Sequence, residues 1–75
     1  MRRTTLHLRL PEPGVAVISV YDAMGRRVQR QEVRGNFATV QADLSVPAAG
    51  LYVYRADLNA ASGKTYSTVG KMIGL

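Results

Sequence analysis

The stretch Val15-Ala16-Val17-Ile18-Ser19-Val20-Tyr21-Asp22-Ala23-Met24-Gly25-Arg26-Arg27-Val28 decides how this chain folds. Its first half alternates. Ala16, Ile18 and Val20 share one face, and Val15, Val17, Ser19 and Tyr21 the other, which is the period of a β-strand. The second face is hardly more polar than the first, so partial cover on both sides is expected. Asp22 to Gly25 then reverse the chain. An aspartate side chain bonds to backbone N–H groups just ahead of it, and glycine reaches positive φ without steric cost. A charged strand leaves from Arg27 and runs to Arg34. In a regular strand Val28 and Val33 face opposite ways, which predicts a bulge or an edge position. Charges on an edge also discourage pairing with other chains.

The same alternation extends in both directions. Upstream, Leu6, Leu8 and Leu10 make a strand that ends in a Pro11-Glu12-Pro13-Gly14 turn. Downstream, Gly35-Asn36 reads as a hairpin turn. The strand after it points Ala38, Val40, Ala42 and Leu44 inward. The loop from Ser45 to Gly50 crosses to a second sheet. From Leu51 to Leu58, Tyr52, Tyr54, Ala56 and Leu58 share one face, and Leu51, Val53, Arg55 and Asp57 the other. Asn59 to Gly63 form a last hairpin loop, and a final strand runs from Lys64 or Thr65 to about Ile73. No segment carries a helical period. Short strands between turn signals imply a small antiparallel β-sandwich of about six to seven strands.

With 75 residues the chain is one domain. A domain of this size buries only roughly 60–65% of the surface its unfolded chain exposes, so its stability is marginal. Disulfides and metals are the usual staples of small folds. This chain has no cysteine, and its one histidine, His7, has no ligand partner in the sequence. The 47% hydrophobic content argues against disorder. The first residues begin like a signal peptide, but His7 and Arg9 interrupt the apolar core that a signal requires. No run approaches the ~18 apolar residues of a membrane span. Residues 1–5 are read as a linker remnant, with Met1 a start placed on a fragment of a longer protein. Residues 6–75 are the domain. The net charge of +5 is carried mostly by arginine.

No catalytic constellation is visible. Glu12, Asp22, Glu32, Asp43 and Asp57 are scattered over turns and strand faces. His7 alone cannot complete a zinc set or a nucleophile–base pair with a defined partner. The chain is therefore read as non-enzymatic, without cofactor or metal. Gly25 and Gly50 mark backbone positions that reject a Cβ. Arg26 is a solvated turn residue or the partner of Asp22. Tyr52 and Tyr54 pack between the sheets with their hydroxyls at the rim, or else form a stripe on which bases stack. Lys71 is a solvated residue or a contact.

Three motifs resemble a known family. Tyr21-Asp22-Ala23-Met24-Gly25-Arg26-Arg27-Val28 is similar to its Tyr-Asp-x-x-Gly-Arg-x-Val motif. Asp43-Leu44-Ser45 followed by Ala49-Gly50-Leu51-Tyr52 resembles its second motif. Lys71-Met72-Ile73 resembles its closing basic-then-aliphatic strand. The family is the C-terminal sorting domain of the type IX (Por) secretion system, and the likeness runs from about Leu6 to Leu75.

The resemblance implies an immunoglobulin-like sandwich at the end of a larger exported cargo. Its partners would be that N-terminal cargo domain, the outer-membrane type IX translocon and a sortase-like peptidase. The route would run through the periplasm to the outer membrane and cell surface. Tyr21, Asp22, Gly25, Arg26, Gly50, Tyr52 and Lys71 would be its recognition and motif residues. The family's Asn-Pro element and linker have no counterpart in Met1 to Thr5, so the resemblance implies no cleavage site there. An exposed edge strand also offers pairing with a second copy. Two other readings compete: a small basic β-barrel that binds single-stranded nucleic acid, and a passive immunoglobulin-like spacer or adhesion module.

Overall fold

The computed structural model describes residues 2–35 and 39–74. Six strands follow in order: β1 (Arg2–Arg9), β2 (Gly14–Tyr21), β3 (Arg27–Gly35), β4 (Thr39–Val46), β5 (Gly50–Ala60) and β6 (Thr65–Gly74). Among the described residues there is no helix. β1 and β4 form a two-stranded sheet, and the other strands form a four-stranded sheet in the order β3-β2-β5-β6. Every pairing is antiparallel. The small antiparallel sandwich expected from the alternation is what the chain forms.

The core follows the predicted faces. Ala16, Ile18 and Val20 of β2, and Tyr52, Ala56 and Leu58 of β5, are buried together with Ala42, Leu44 and Val46 of β4. The other face of β2 is half-covered, and Ser19 on it is buried. Tyr54 packs against the core from β5. Its ring lies over Gly70 of the neighbouring strand, where an added Cβ would sit 2.5 Å from the ring carbon Cζ.

Both devices anticipated for β3 are present. It is the edge of the larger sheet. It also bulges: Tyr21 pairs with Arg27 and Val20 with Gln29, which leaves Val28 as the extra residue. A bulge restores a common facing to residues separated by an odd number of positions. Val28 and Val33 accordingly both pack against the core.

Three features differ from the sequence reading. The first is strand pairing. Gly35-Asn36 does not join two neighbouring strands of one sheet, because β4 pairs with β1 in the other sheet. Asn36 itself and the inward position assigned to Ala38 lie outside the described residues. The second is the start of β1, which begins at Arg2, not at Leu6, and takes in Arg2 to Thr5 opposite Val46 to Asp43. Backbone pairing needs no apolar side chains, so alternation could not mark that start. The third is Gly14. It is the first residue of β2, and its φ is not positive. A Cβ there would meet the Asn59 carbonyl oxygen and come within 2.8 Å of the Ala60 Cα, so close approach is what demands glycine.

The two layers approach most closely along β3 and β4, and to a lesser extent along β1 and β6. A pocket of about 230 Å3 lies on the β1–β6 side, lined by Leu8, Leu10, Ala16, Ala56, Leu58 and Tyr66 among others. The Ala61 N–H donates to the Pro13 carbonyl (3.0 Å), and the Tyr66 hydroxyl donates to the Glu12 carboxylate. These bonds tie the β1–β2 turn to the β5–β6 hairpin. The Glu12 carboxyl is held below its usual range by the Ser62 hydroxyl and then by the Tyr66 phenol. The phenol of Tyr66 is pushed up in turn by its bond to Glu12.

Candidate recognition surface

Antiparallel register determines which residues meet on the outer face of the larger sheet. Tyr21 of β2 pairs with Arg27 of β3 and with Val53 of β5, and Val53 pairs with Lys71 of β6. Arg27, Tyr21, Val53 and Lys71 therefore form one row across all the strands of that sheet. Their in-chain neighbours Val20, Tyr52 and Met72 are buried, so this row faces away from the core. At its end of the sheet Leu51 stands opposite Ile73.

The turn that follows Tyr21 closes the same end, and Asp22 organises it. Its Oδ1 accepts the N–H of Met24 (2.9 Å) and of Arg26 (2.9 Å), and its Oδ2 accepts the Arg26 Nε–H (3.0 Å). Two backbone bonds complete the loop: Gly25 N–H to the Asp22 carbonyl (3.0 Å) and Asp22 N–H to the Arg26 carbonyl (2.9 Å). Gly25 supplies the left-handed residue at φ +85°, with no atom within 4 Å of a Cβ placed there. It is conformation, not crowding, that excludes other side chains at this position. Gly50 likewise has open space around it, at φ +157°.

The donated bonds hold the Asp22 carboxyl below its ordinary value of 3.8, the backbone N–H of Arg26 contributing most. A depressed folded-state pKa stabilises above the unfolded value, and that contribution is lost as pH falls through the folded one. Asp22→Ala is accordingly expected to lower the urea midpoint near pH 7. The gap from the parent should close as the pH drops below about 4. A gap that stays constant down to pH 2, about two units lower, would show that the carboxylate does not hold the turn.

The motif residues divide into two groups. Tyr21, Asp22, Gly25, Arg26, Gly50 and Lys71 all lie at or beside one end of the larger sheet. Tyr52 does not join them on the surface. It is 4% exposed, and its hydroxyl donates to the Ala48 carbonyl (2.6 Å), pinning the β4–β5 loop to the core. Arg27, Val53, Leu51 and Ile73 share this end of the outer face but were not singled out as site residues from the sequence. Parity along β5 and β6 puts Leu51, Val53 and Ile73 on the outer face, pairing with Tyr21 puts Arg27 there, and only the strand order sets them side by side.

The tyrosines do not form a stacking stripe. Tyr52 and Tyr54 face the core, and Tyr66 is engaged by Glu12. Among the described residues no group of three or more His, Cys, Asp and Glu side chains comes together. His7 is exposed on β1.

No curated protein matches this chain at a significant level, and neither does any solved structure. The family model described as the secretion system C-terminal sorting domain matches residues 3–73. That span takes in all three motifs and every described strand but the terminal residues of β1 and β6, and the chain belongs to this family, the sorting domains of type IX secretion.

Proposed function

We propose that this domain is a non-enzymatic address that directs a larger N-terminal cargo through the outer-membrane type IX translocon to the cell surface, where a sortase-like peptidase acts on the cargo. The domain works by presenting a rigid exterior. The position of Lys71 is the observation that carries this reading. It is exposed on β6, an edge strand with no partner on its outer side among the described residues, and it stands in the same row as Tyr21. An open strand edge offers backbone bonds to a partner strand, while adjacent side chains set register. The sandwich is the immunoglobulin-like scaffold on which this edge is displayed.

The test is a reporter with an N-terminal signal peptide and this domain at its C-terminus, expressed in a type IX-competent host. Removal of β6 is expected to abolish surface delivery and leave the reporter in the periplasm. Lys71→Ala alters an exposed side chain, so it should lower delivery without changing the urea midpoint of the domain. Normal delivery with both changes would overturn the proposal.

A further inference from the structure

From the row Arg27–Tyr21–Val53–Lys71 and the apolar residues beside it, we infer that the outer face of the larger sheet docks an acidic, partly apolar protein surface of the transport machinery. The inference rests on the proposed sorting role and assigns the contact to a sheet face as well as an edge.

Charge on this face is uneven. Arg30 pairs with Glu32 (3.4 Å) and Arg55 with Asp57 (3.1 Å), so the middle of the face is internally neutralised. Asp22 is neutralised by Arg26 (3.0 Å). Among the described residues Arg27 and Lys71 are in no ion pair, as is also true of Arg34 and Lys64 at the far end, where no large apolar side chain is exposed beside them. Arg27 and Lys71 bracket Tyr21 and Val53 at opposite edges of the sheet, three strand spacings or about 14 Å apart.

Three of the four exposed large apolar side chains lie at the same end, and the fourth, Val69, lies one row further in. Among the described residues Met24, Leu51, Val69 and Ile73 are the large hydrophobic side chains left exposed, at 81%, 51%, 65% and 62%. Leu51 and Ile73 stand directly opposite each other, Val69 lies on the same face of β6, and Met24 caps the turn after Tyr21. Exposed apolar side chains beside a row that carries a cation at each end are the composition of a docking surface, not of a solvated face.

Complementarity selects the occupant. A carboxylate at each side and an apolar centre satisfy both features together. A second copy meeting this face head-on would set cation against cation. Adhesion to anionic lipid draws on clusters of about four to eight basic residues, whereas this patch has two uncompensated ones.

The experiment compares two double reversals that change net charge equally. R27E/K71E strikes the patch, while R34E/K64E strikes exposed positions at the far end of the sheet. In the reporter fusion, R27E/K71E is expected to reduce surface delivery about tenfold or more. R34E/K64E should stay within about twofold of the parent. Both domains should keep the parent's urea midpoint, sediment as monomers and ignore phosphatidylglycerol vesicles. Equal losses from the two pairs, or none from either, would overturn the assignment. Vesicle binding lost only in R27E/K71E would overturn it in favour of lipid, and a dimer lost only in that variant in favour of self-association. If the face variants export normally while removal of the whole domain still blocks delivery, the docking face is wrong and the sorting role stands.

Discussion

Leu44→Ala is expected to remove a large share of this domain's stability and to lower its urea midpoint markedly. Leu44 is fully buried and is the largest such side chain that the two-stranded sheet contributes to the core. Truncating a buried leucine removes its transfer free energy and leaves a cavity, together about 2–5 kcal/mol. At about 0.05–0.15 kcal/mol per residue, a chain of this length has a total stability of only about 4–11 kcal/mol. There is no cysteine to hold the layers together. The cavity would also open on the side where only β1 and β4 cover the larger sheet. Urea unfolding followed by circular dichroism should show the loss as a shifted midpoint. A loss under about 1 kcal/mol would mean that the smaller sheet is not integral to the core.

Gly14→Ala should be nearly as damaging, for a different reason. Gly14 is paired on both sides, with Gly35 of β3 and Ala60 of β5. The new methyl group would meet backbone atoms of Asn59 and Ala60, which cannot rotate away. β2 and β5 must separate locally, at a cost of about 1–3 kcal/mol. Gly70→Ala makes a useful comparison. Its obstruction is the end of the Tyr54 ring, which is only half-buried and can swing. The expected order of destabilisation is Gly14→Ala above Gly70→Ala. The reverse order would show that β5 is held less firmly than its central place in the sheet implies.

These two sites illustrate which parts of the fold were legible in the sequence. Alternation is a local property, so it revealed the buried faces of β2 and β5. The Asp22–Gly25 turn was also legible, because its side-chain-to-backbone bonds close within a few residues. The odd spacing of Val28 and Val33 was enough to expect the bulge. Pairing between sheets is not local. Gly35-Asn36 has the composition of a hairpin, yet β4 leaves for the strand that began the chain. Gly14 looked like a turn glycine because it follows two prolines, while the constraint on it comes from Asn59 and Ala60, far along the sequence.

The proposed recognition surface shows the same division. The motif residues around Asp22 were visible because they form one continuous segment. Lys71 was visible through its resemblance to the family's closing strand. Tyr52 carries the motif yet serves the core, since its hydroxyl finds the Ala48 carbonyl only once the β4–β5 loop has folded over it. Arg27 and Val53 gain meaning from the order β3-β2-β5-β6, which sets one cation at each end of a row that no sequence window contains.

Surface delivery of a signal-peptide-bearing reporter, with and without this domain at its C-terminus, in parent and translocon-deleted hosts, probes the account most directly. The reporter should reach the cell surface only where the domain and the translocon are both present. Delivery that persists without the domain, or in the host that lacks the translocon, would contradict it.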